Sequence, residues 1–322
     1  MTVTNESAPA GPELVECRGP FDFRLSLRAM RSFGMTAAQL KAAHKEAAAG
    51  GGQPQPGDES PSGGESLCLG VLFGDRPTLL EIREAGRSPA AVVAEARPAP
   101  QDPSALLALA ARVVNADLDL QPFYDLAAGH PVFGPLTRTL YGTKAFRPAS
   151  LFDMLVIAVI EQQISLLAAR SIHSKLVARF GSVAEDEPVS PAPEVLAAAS
   201  ITDLMACGLS ERKAEYVSGL ARQVVEGTFD LDSLETAPTD EVKARIVALR
   251  GFGPWSADYV LIRGLARPDS VPVDDLGIRT VVGRLMGDGS RPSAEQVTEM
   301  LAPLAPYRGL AAFYLLVAAR LQ

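Results

Sequence analysis

The sequence predicts an α+β domain at the N-terminus followed by an all-α core. Residues 1–103 contain short runs with the period-two alternation of β-strands, whereas nearly every segment from Ser104 onwards has helical spacing. The proline-rich stretch ARPAPQDP (96–103) lies between these regions and is typical of a linker. We therefore expect two domains, 1–103 and 104–322, the second with two helical subdomains. A second linker is expected at 186–194.

Within the first region, alternating apolar residues between Phe21 and Leu27 predict a strand or a strand entering a helix. Further along, two β-like runs flank Gly74-Asp75-Arg76, a pattern that indicates a hairpin. Residues 50–66 are mostly glycine, proline and serine. Because such a composition cannot bury apolar surface, we expect a mobile loop there.

In the second region, polar residues mark where helices begin and end. Ser150 is placed to cap a helix through LFDMLVIAVI, and polar residues at 161–165 interrupt the apolar stretch. Ser165 is placed to cap the helix that follows, and Gly181 to end it. The sequence therefore predicts two helices joined by a short polar turn.

The bulk composition narrows the class of protein. The chain has 322 residues, is 47% hydrophobic and shows no apolar run long enough to span a bilayer. Its start lacks the charged and apolar regions of a signal peptide, so we expect a cytoplasmic protein. The net charge of −8 argues mildly against nucleic acid, although a locally basic face is compatible with it.

Metal chemistry has little support in the sequence. Three widely spaced cysteines exclude a disulfide framework and a four-thiolate zinc or iron–sulfur site within one chain. The three histidines have no metal-ligand spacing, and His173 is expected at the surface. We therefore expect no cofactor and no iron–sulfur cluster.

Residues 246–260 predict a helix–hairpin–helix. Gly251 and Gly253 form the turn, and Pro254 opens the second helix at a first-turn position. The free N–H groups at that helix start, together with the helix dipole, suit a backbone phosphate. A plain helix–turn–helix corner is the alternative interpretation of this segment taken alone.

Four segments in order resemble a known family. They are LFDMLVIAVIEQQIS, LMACGLSERKAEY, LRGFGPWSADY and VPVDDLGIR. Across roughly residues 120–320 the chain resembles the helix-hairpin-helix (HhH-GPD) DNA glycosylase superfamily, and most of all its 3-methyladenine DNA glycosylase II branch. The resemblance implies a glycosylase core preceded by a TATA-binding-protein-like half-sheet.

The resemblance assigns the chemistry to Asp275. In the family the acting aspartate begins a helix, three residues before a core-facing apolar position, which here is Ile278. Asp274 is then the expected helix cap or orienting neighbour. Breaking an N-glycosidic bond develops positive charge on the deoxyribose, and a nearby carboxylate stabilises that charge.

The family pattern also bears on the base pocket. Bifunctional members place a Schiff-base lysine where this chain has Trp255, so the resemblance implies a monofunctional enzyme without lyase activity. Trp255 and Tyr259 are four residues apart on one helix and so share a face. We expect them to stack on an extruded, electron-poor base, although a core position for both is the alternative.

The remaining predicted site residues bind DNA or a cation. The resemblance implies that the turn at Gln162 and Gln163 fills the gap left by the flipped nucleotide, and Gln163 is the favoured wedge. It further implies that hairpin carbonyls hold a Na⁺ or K⁺ ion that bridges to a phosphate. The expected DNA-binding residues are Gln162, Gln163, Gly251, Gly253, Pro254 and Ser256. The expected cation ligands are the backbone carbonyls of Val247, Leu249 and Phe252.

These assignments predict a monomeric, nucleoid-associated enzyme. We expect it to flip and excise alkylated purines, such as 3-methyladenine and 7-methylguanine, from double-stranded DNA in base excision repair. Two alternatives stay open at this level. One is a glycosylase of the same fold for another lesion, such as a bulky alkyl adduct or a deaminated base, and the other is a non-catalytic DNA-binding module.

Overall fold

A computed structural model describes residues 12–33, 65–86 and 90–321, and within them the N-terminal part forms a mixed sheet. The strands are β1 (Glu13–Glu16), β2 (Ser66–Phe73), β3 (Arg76–Glu84), β4 (Ala91–Arg97), β5 (Ser182–Ala184) and β6 (Glu187–Val189). Their order is β1-β4-β3-β2-β6-β5, and only the β2–β6 pairing is parallel. The predicted β2–β3 hairpin is confirmed, with Gly74 at a φ of 59° in its turn.

Helices make up most of the remaining chain. They are α1 (Phe23–Ser32), α2 (Pro103–Val113), α3 (Gln121–Ala127), α4 (Phe133–Thr139), α5 (Leu151–Glu161), α6 (Leu166–Phe180), α7 (Pro193–Ala198), α8 (Ile201–Ala206), α9 (Glu211–Val225), α10 (Asp232–Thr236), α11 (Thr239–Val247), α12 (Pro254–Arg263), α13 (Leu276–Met286), α14 (Ala294–Leu301) and α15 (Arg308–Leu321). Ser150 and Ser165 accept hydrogen bonds from backbone N–H groups in the first turns of α5 and α6, as predicted. Gly181 follows the last residue of α6.

Two segments differ from the sequence-based expectation. The alternating run that begins at Phe21 forms helix α1, because Asp22 caps its first turn and Phe23, Leu27 and Met30 share one buried face. The predicted linker at 186–194 instead contains β6, which pairs with β5 and extends the sheet. The predicted mobile loop lies outside the described residues up to position 64, and its last residue already belongs to β2.

Two hydrophobic cores organise the described residues. The first joins the sheet and α1–α4 with α13–α15, so the last helices of the chain pack against its beginning. The second is built from α5–α12. Consecutive helices α12 and α13 therefore belong to different cores, and the segment between them crosses from one core to the other. The division at residue 103/104 stays a prediction.

A buried lysine connects distant parts of the first core. Lys144 is 0% exposed, and its Nζ donates to the carbonyls of Arg18, Asn115 and Ala116 at 3.0, 3.3 and 3.2 Å. Burial lowers the pKa of this amine to about 8. The three carbonyls belong to the segment after β1 and the segment after α2. The Lys144 side chain therefore links these two segments.

No single helix in the described part of the chain is long and apolar enough to cross a membrane. One helix pair, Ala294–Leu304 with Arg308–Leu321, reaches that length and apolarity only jointly and is bent by 105°.

Replacing Lys144 with methionine is expected to lower the free energy of unfolding by about 2–4 kcal/mol, because three carbonyls would lose their donor inside the protein. Urea denaturation followed by circular dichroism measures this. The control is Lys175→Met on the exposed side of α6, for which a change within about 0.5 kcal/mol is expected. Equal stability of the two variants would contradict the role given to Lys144.

Candidate active site

The helical hairpin is formed by α11, a turn and α12. Gly251 has a φ of 91°, and a Cβ at this position would lie 2.2 Å from the Tyr216 ring. Both conditions require glycine. Pro254 occupies the first turn of α12, as predicted, and Gly253 before it provides no side-chain cap. The backbone N–H groups at this helix start are therefore not satisfied by a capping side chain.

Ser256 supports the hairpin from inside. It is 2% exposed, and its Oγ accepts a hydrogen bond from Nε2 of Gln162 at 3.0 Å. The same Nε2 donates to the carbonyl of Gly251 at 2.9 Å. Of the two predicted glutamines, Gln162 therefore binds the hairpin, whereas Gln163 is exposed with a φ of 56°. Of these two glutamines, Gln163 is the one free to act as the wedge, and that role stays a prediction.

A lysine fixes the turn that carries these glutamines. Lys213 donates from Nζ to the carbonyls of Ile160 and Gln162 at 2.8 and 2.7 Å. Burial lowers the pKa of this amine. Lys213 is half-buried, because the last carbonyls of α5 need donors and this side chain supplies them.

The predicted cation ligands lie around the hairpin turn. Val247 ends α11, and the carbonyl of Leu249 accepts the N–H of Phe252 at 3.1 Å. Leu249 and Phe252 are buried. Backbone carbonyls suit a hard monovalent cation, and the described residues contain no cluster of acidic, histidine or cysteine side chains that would hold another metal. The Na⁺ or K⁺ site stays a prediction.

Both oxygens of the Asp275 carboxylate have donors. Oδ1 accepts the N–H of Ile278 at 3.0 Å, so Asp275 is itself the N-cap of α13. Oδ2 accepts Nε1–H of Trp255 at 3.2 Å. The expectation that Asp274 caps the helix is wrong: Asp274 is exposed, since the residue three positions before Ile278 is the one in capping register.

Trp255 and Tyr259 lie on one face of α12, as predicted. Their ring centroids are 5.1 Å apart with an interplanar angle of 14°, so the two rings stack on each other. Burial raises the pKa of the Tyr259 phenol, with Arg263 opposing the rise and Glu161 and Asp275 adding to it. The phenol therefore stays neutral, and the ring pair forms an uncharged wall beside the carboxylate.

Around these residues lies a cavity of about 1150 Å³ between the two cores. Side chains from α5, α6, α12, α13 and α15 line it, and most of its lining is apolar. Asp275, Trp255 and Tyr259 all face it, together with Gln162 and Gln163. None of the described residues that line the cavity is a lysine.

Sequence reasoning missed several polar residues of this cavity. Arg263 lies one turn beyond Tyr259, and its guanidinium carbon is 5.7 Å from the Tyr259 ring centroid. The four-residue spacing of Trp255, Tyr259 and Arg263 could have revealed it. His173 is 1% exposed and pairs with Asp153 at 2.9 Å, so its expected surface position is wrong. Those two residues lie on different helices, and no local pattern links them.

Comparison with known proteins agrees with this geometry. Residues 156–306 match the model of the HhH-GPD superfamily base excision DNA repair protein. A DNA-3-methyladenine glycosylase of Bacillus subtilis is 32% identical over 62% of this chain and 68% of its own length.

Solved structures extend the comparison to the whole fold. The 3-methyladenine DNA-glycosylase from Archaeoglobus fulgidus superimposes with a TM-score of 0.76 at 22% identity, covering 96% of this chain and 98% of that one. The Schizosaccharomyces pombe 3-methyladenine DNA glycosylase Mag1, solved in complex with abasic DNA, gives a TM-score of 0.52 at 25% identity over 61% and 95% of the two chains. Together with the hairpin and the aspartate segment, these similarities show that the chain belongs to the DNA-3-methyladenine glycosylase family of the HhH-GPD superfamily.

Proposed function

We propose that this protein is a monofunctional DNA glycosylase that excises alkylated purines, including 3-methyladenine and 7-methylguanine, from duplex DNA as the first step of base excision repair. The observation that carries the proposal is the Asp275 carboxylate, held by Ile278 and Trp255 at the wall of a cavity large enough for a base. We further propose that it acts as a monomer in the cytoplasm, on nucleoid DNA.

The reaction is hydrolysis of the bond between C1′ and the base nitrogen. As that bond breaks, its electron pair leaves with the base, and positive charge develops on the deoxyribose opposite Asp275. Water then adds to C1′, and its proton passes to the carboxylate or to solvent. An alkylated purine is already cationic and leaves as a neutral molecule, so the reaction needs no strong general acid.

Binding to DNA would use the two loops on either side of the cavity. The uncapped start of α12 suits a backbone phosphate, and the exposed Gln163 is placed to enter the base stack. The S. pombe relative was solved in complex with abasic DNA, which supports the proposal that this chain binds DNA. The stacked pair of Trp255 and Tyr259 would then form one wall against the extruded base.

Asp275→Asn should reduce release of methylated bases roughly a hundredfold or more, because the amide oxygen keeps the cap of α13 but the side chain loses the negative charge and the acceptor for Trp255. Release from methylated duplex DNA is measured by chromatography. Asp274→Asn, one residue away and exposed, is the matched control and should retain activity. Undiminished release by Asp275→Asn would refute the mechanism, and no release by the unaltered protein would refute the substrate assignment.

The abasic product should stay unbroken, because no lysine lines the described part of the cavity to form a Schiff base. We expect strand breaks only after added alkali and no covalent protein–DNA complex after treatment with borohydride. A known bifunctional glycosylase serves as the positive control. A borohydride-trapped complex would overturn the monofunctional assignment.

Gln163→Ala should lower base extrusion and excision by about tenfold while leaving thermal stability unchanged, because the side chain is exposed. Fluorescence of 2-aminopurine placed beside the lesion reports extrusion. Gln162→Ala is the matched comparison and should lower the melting temperature, because it removes hydrogen bonds to Gly251 and Ser256. Normal extrusion by Gln163→Ala would exclude it as the wedge.

A further inference from the structure

A column of three side chains runs along the cavity face of α12. Trp255, Tyr259 and Arg263 follow one another at four-residue intervals. The indole stacks on the phenol ring, and the guanidinium lies over that ring at 5.7 Å. Helical side chains lean towards the N-terminus of their helix, so Arg263 reaches back to the level of Tyr259. The column starts at the carboxylate of Asp275 and ends in a cation.

Arg263 has no hydrogen-bond acceptor among the described residues that would satisfy its buried Nε. An arginine nitrogen that is withdrawn from water and left unpaired is costly, and such a group in a cavity is commonly satisfied by a ligand. Its stacking on Tyr259 nevertheless holds the guanidinium in place. The planar fork is therefore oriented before any base enters.

Other charged side chains also line the cavity. Arg170, on α6, donates to the carbonyl of Phe33, and Arg320, on α15, lies over the Phe33 ring at 4.4 Å. Glu161 lies near the Tyr259 phenol and adds to the rise in its pKa, and Asp275 is engaged by two donors. Arg263 is thus the cation that the structure places on the same wall as the aromatic pair.

We propose that Arg263 is a specificity-determining residue that donates hydrogen bonds to the edge of the extruded purine furthest from the sugar, and so favours 6-oxopurines over 6-aminopurines. This inference rests on the proposed function. The sugar is placed by Asp275 at the level of Trp255, and the base extends along the column towards Tyr259 and Arg263. Its far edge then meets the guanidinium.

The two methylated purines differ at that edge. A guanine-type base presents its O6 acceptor, which an arginine fork recognises well. An adenine-type base presents an amino group at position 6, which donates hydrogen bonds and offers Arg263 no acceptor at that position. Because 7-methylguanine and 3-methyladenine nucleosides carry the same positive charge, repulsion by Arg263 affects both equally. The ratio of their release therefore isolates the hydrogen bond from the charge.

The test uses duplex DNA treated with dimethyl sulfate, which contains both lesions in one sample. Initial rates of release of 7-methylguanine and 3-methyladenine are measured by chromatography for the unaltered protein and for Arg263→Met. We expect the 7-methylguanine to 3-methyladenine ratio of rates to fall about five- to tenfold in the variant, the change that loss of one charge-assisted hydrogen bond produces. Arg263→Lys keeps a donor and the charge and should retain part of the preference.

Two controls separate the outcomes. Arg222→Met removes an exposed arginine of α9 outside the cavity and should leave the ratio unchanged. Arg320→Met tests the cavity arginine that lies over the Phe33 ring. An unchanged ratio in Arg263→Met, or a ratio that shifts in Arg320→Met alone, would overturn the inference. If the unaltered protein released neither base, the proposed function itself would fail, a result distinct from an unchanged ratio.

Discussion

The hydrogen bond between Trp255 and Asp275 is the contact on which the site depends. It joins α12, which packs in the second core, to the start of α13, which packs in the first. The same carboxylate caps α13 through the N–H of Ile278. With a donor on each oxygen, the side chain is held in one orientation. The cavity wall, the helix start and the aromatic pair are thereby fixed relative to one another.

A second set of contacts connects the polar turn to the hairpin. Gln162 donates to the carbonyl of Gly251 and to Ser256, and Lys213 holds the carbonyls at the end of α5. The backbone of Gly251 comes so close to Tyr216 that no side chain fits there. The turn that carries Gln163 and the start of α12 therefore form one unit.

The buried pair of Asp153 and His173 stabilises the helices behind that turn. Burial alone would lower the pKa of the imidazole, but the Asp153 carboxylate raises it, and the net shift is upward. Since removing one member would leave the other unpaired in an apolar setting, the pair fixes how α5 lies against α6. These two helices contribute one side of the cavity, so the Asp153–His173 pair supports the shape of the pocket without contacting the carboxylate of Asp275.

Much of the fold follows from local signals. The sequence by itself determined where α5, α6 and α12 begin, because Ser150, Ser165 and Pro254 act within one helical turn. It also located the hairpin and the helix start that contains Asp275. The alternating apolar residues after Phe21 favoured a strand, but the segment forms helix α1, because Asp22 caps its first turn and its apolar residues share one helical face. Only the tertiary structure placed Trp255 against Asp275, buried His173 beside Asp153 and brought Lys213 to the carbonyls at the end of α5. The physical reason is that their partners are brought near by packing between helices, and residues far apart in sequence carry no local pattern of that contact.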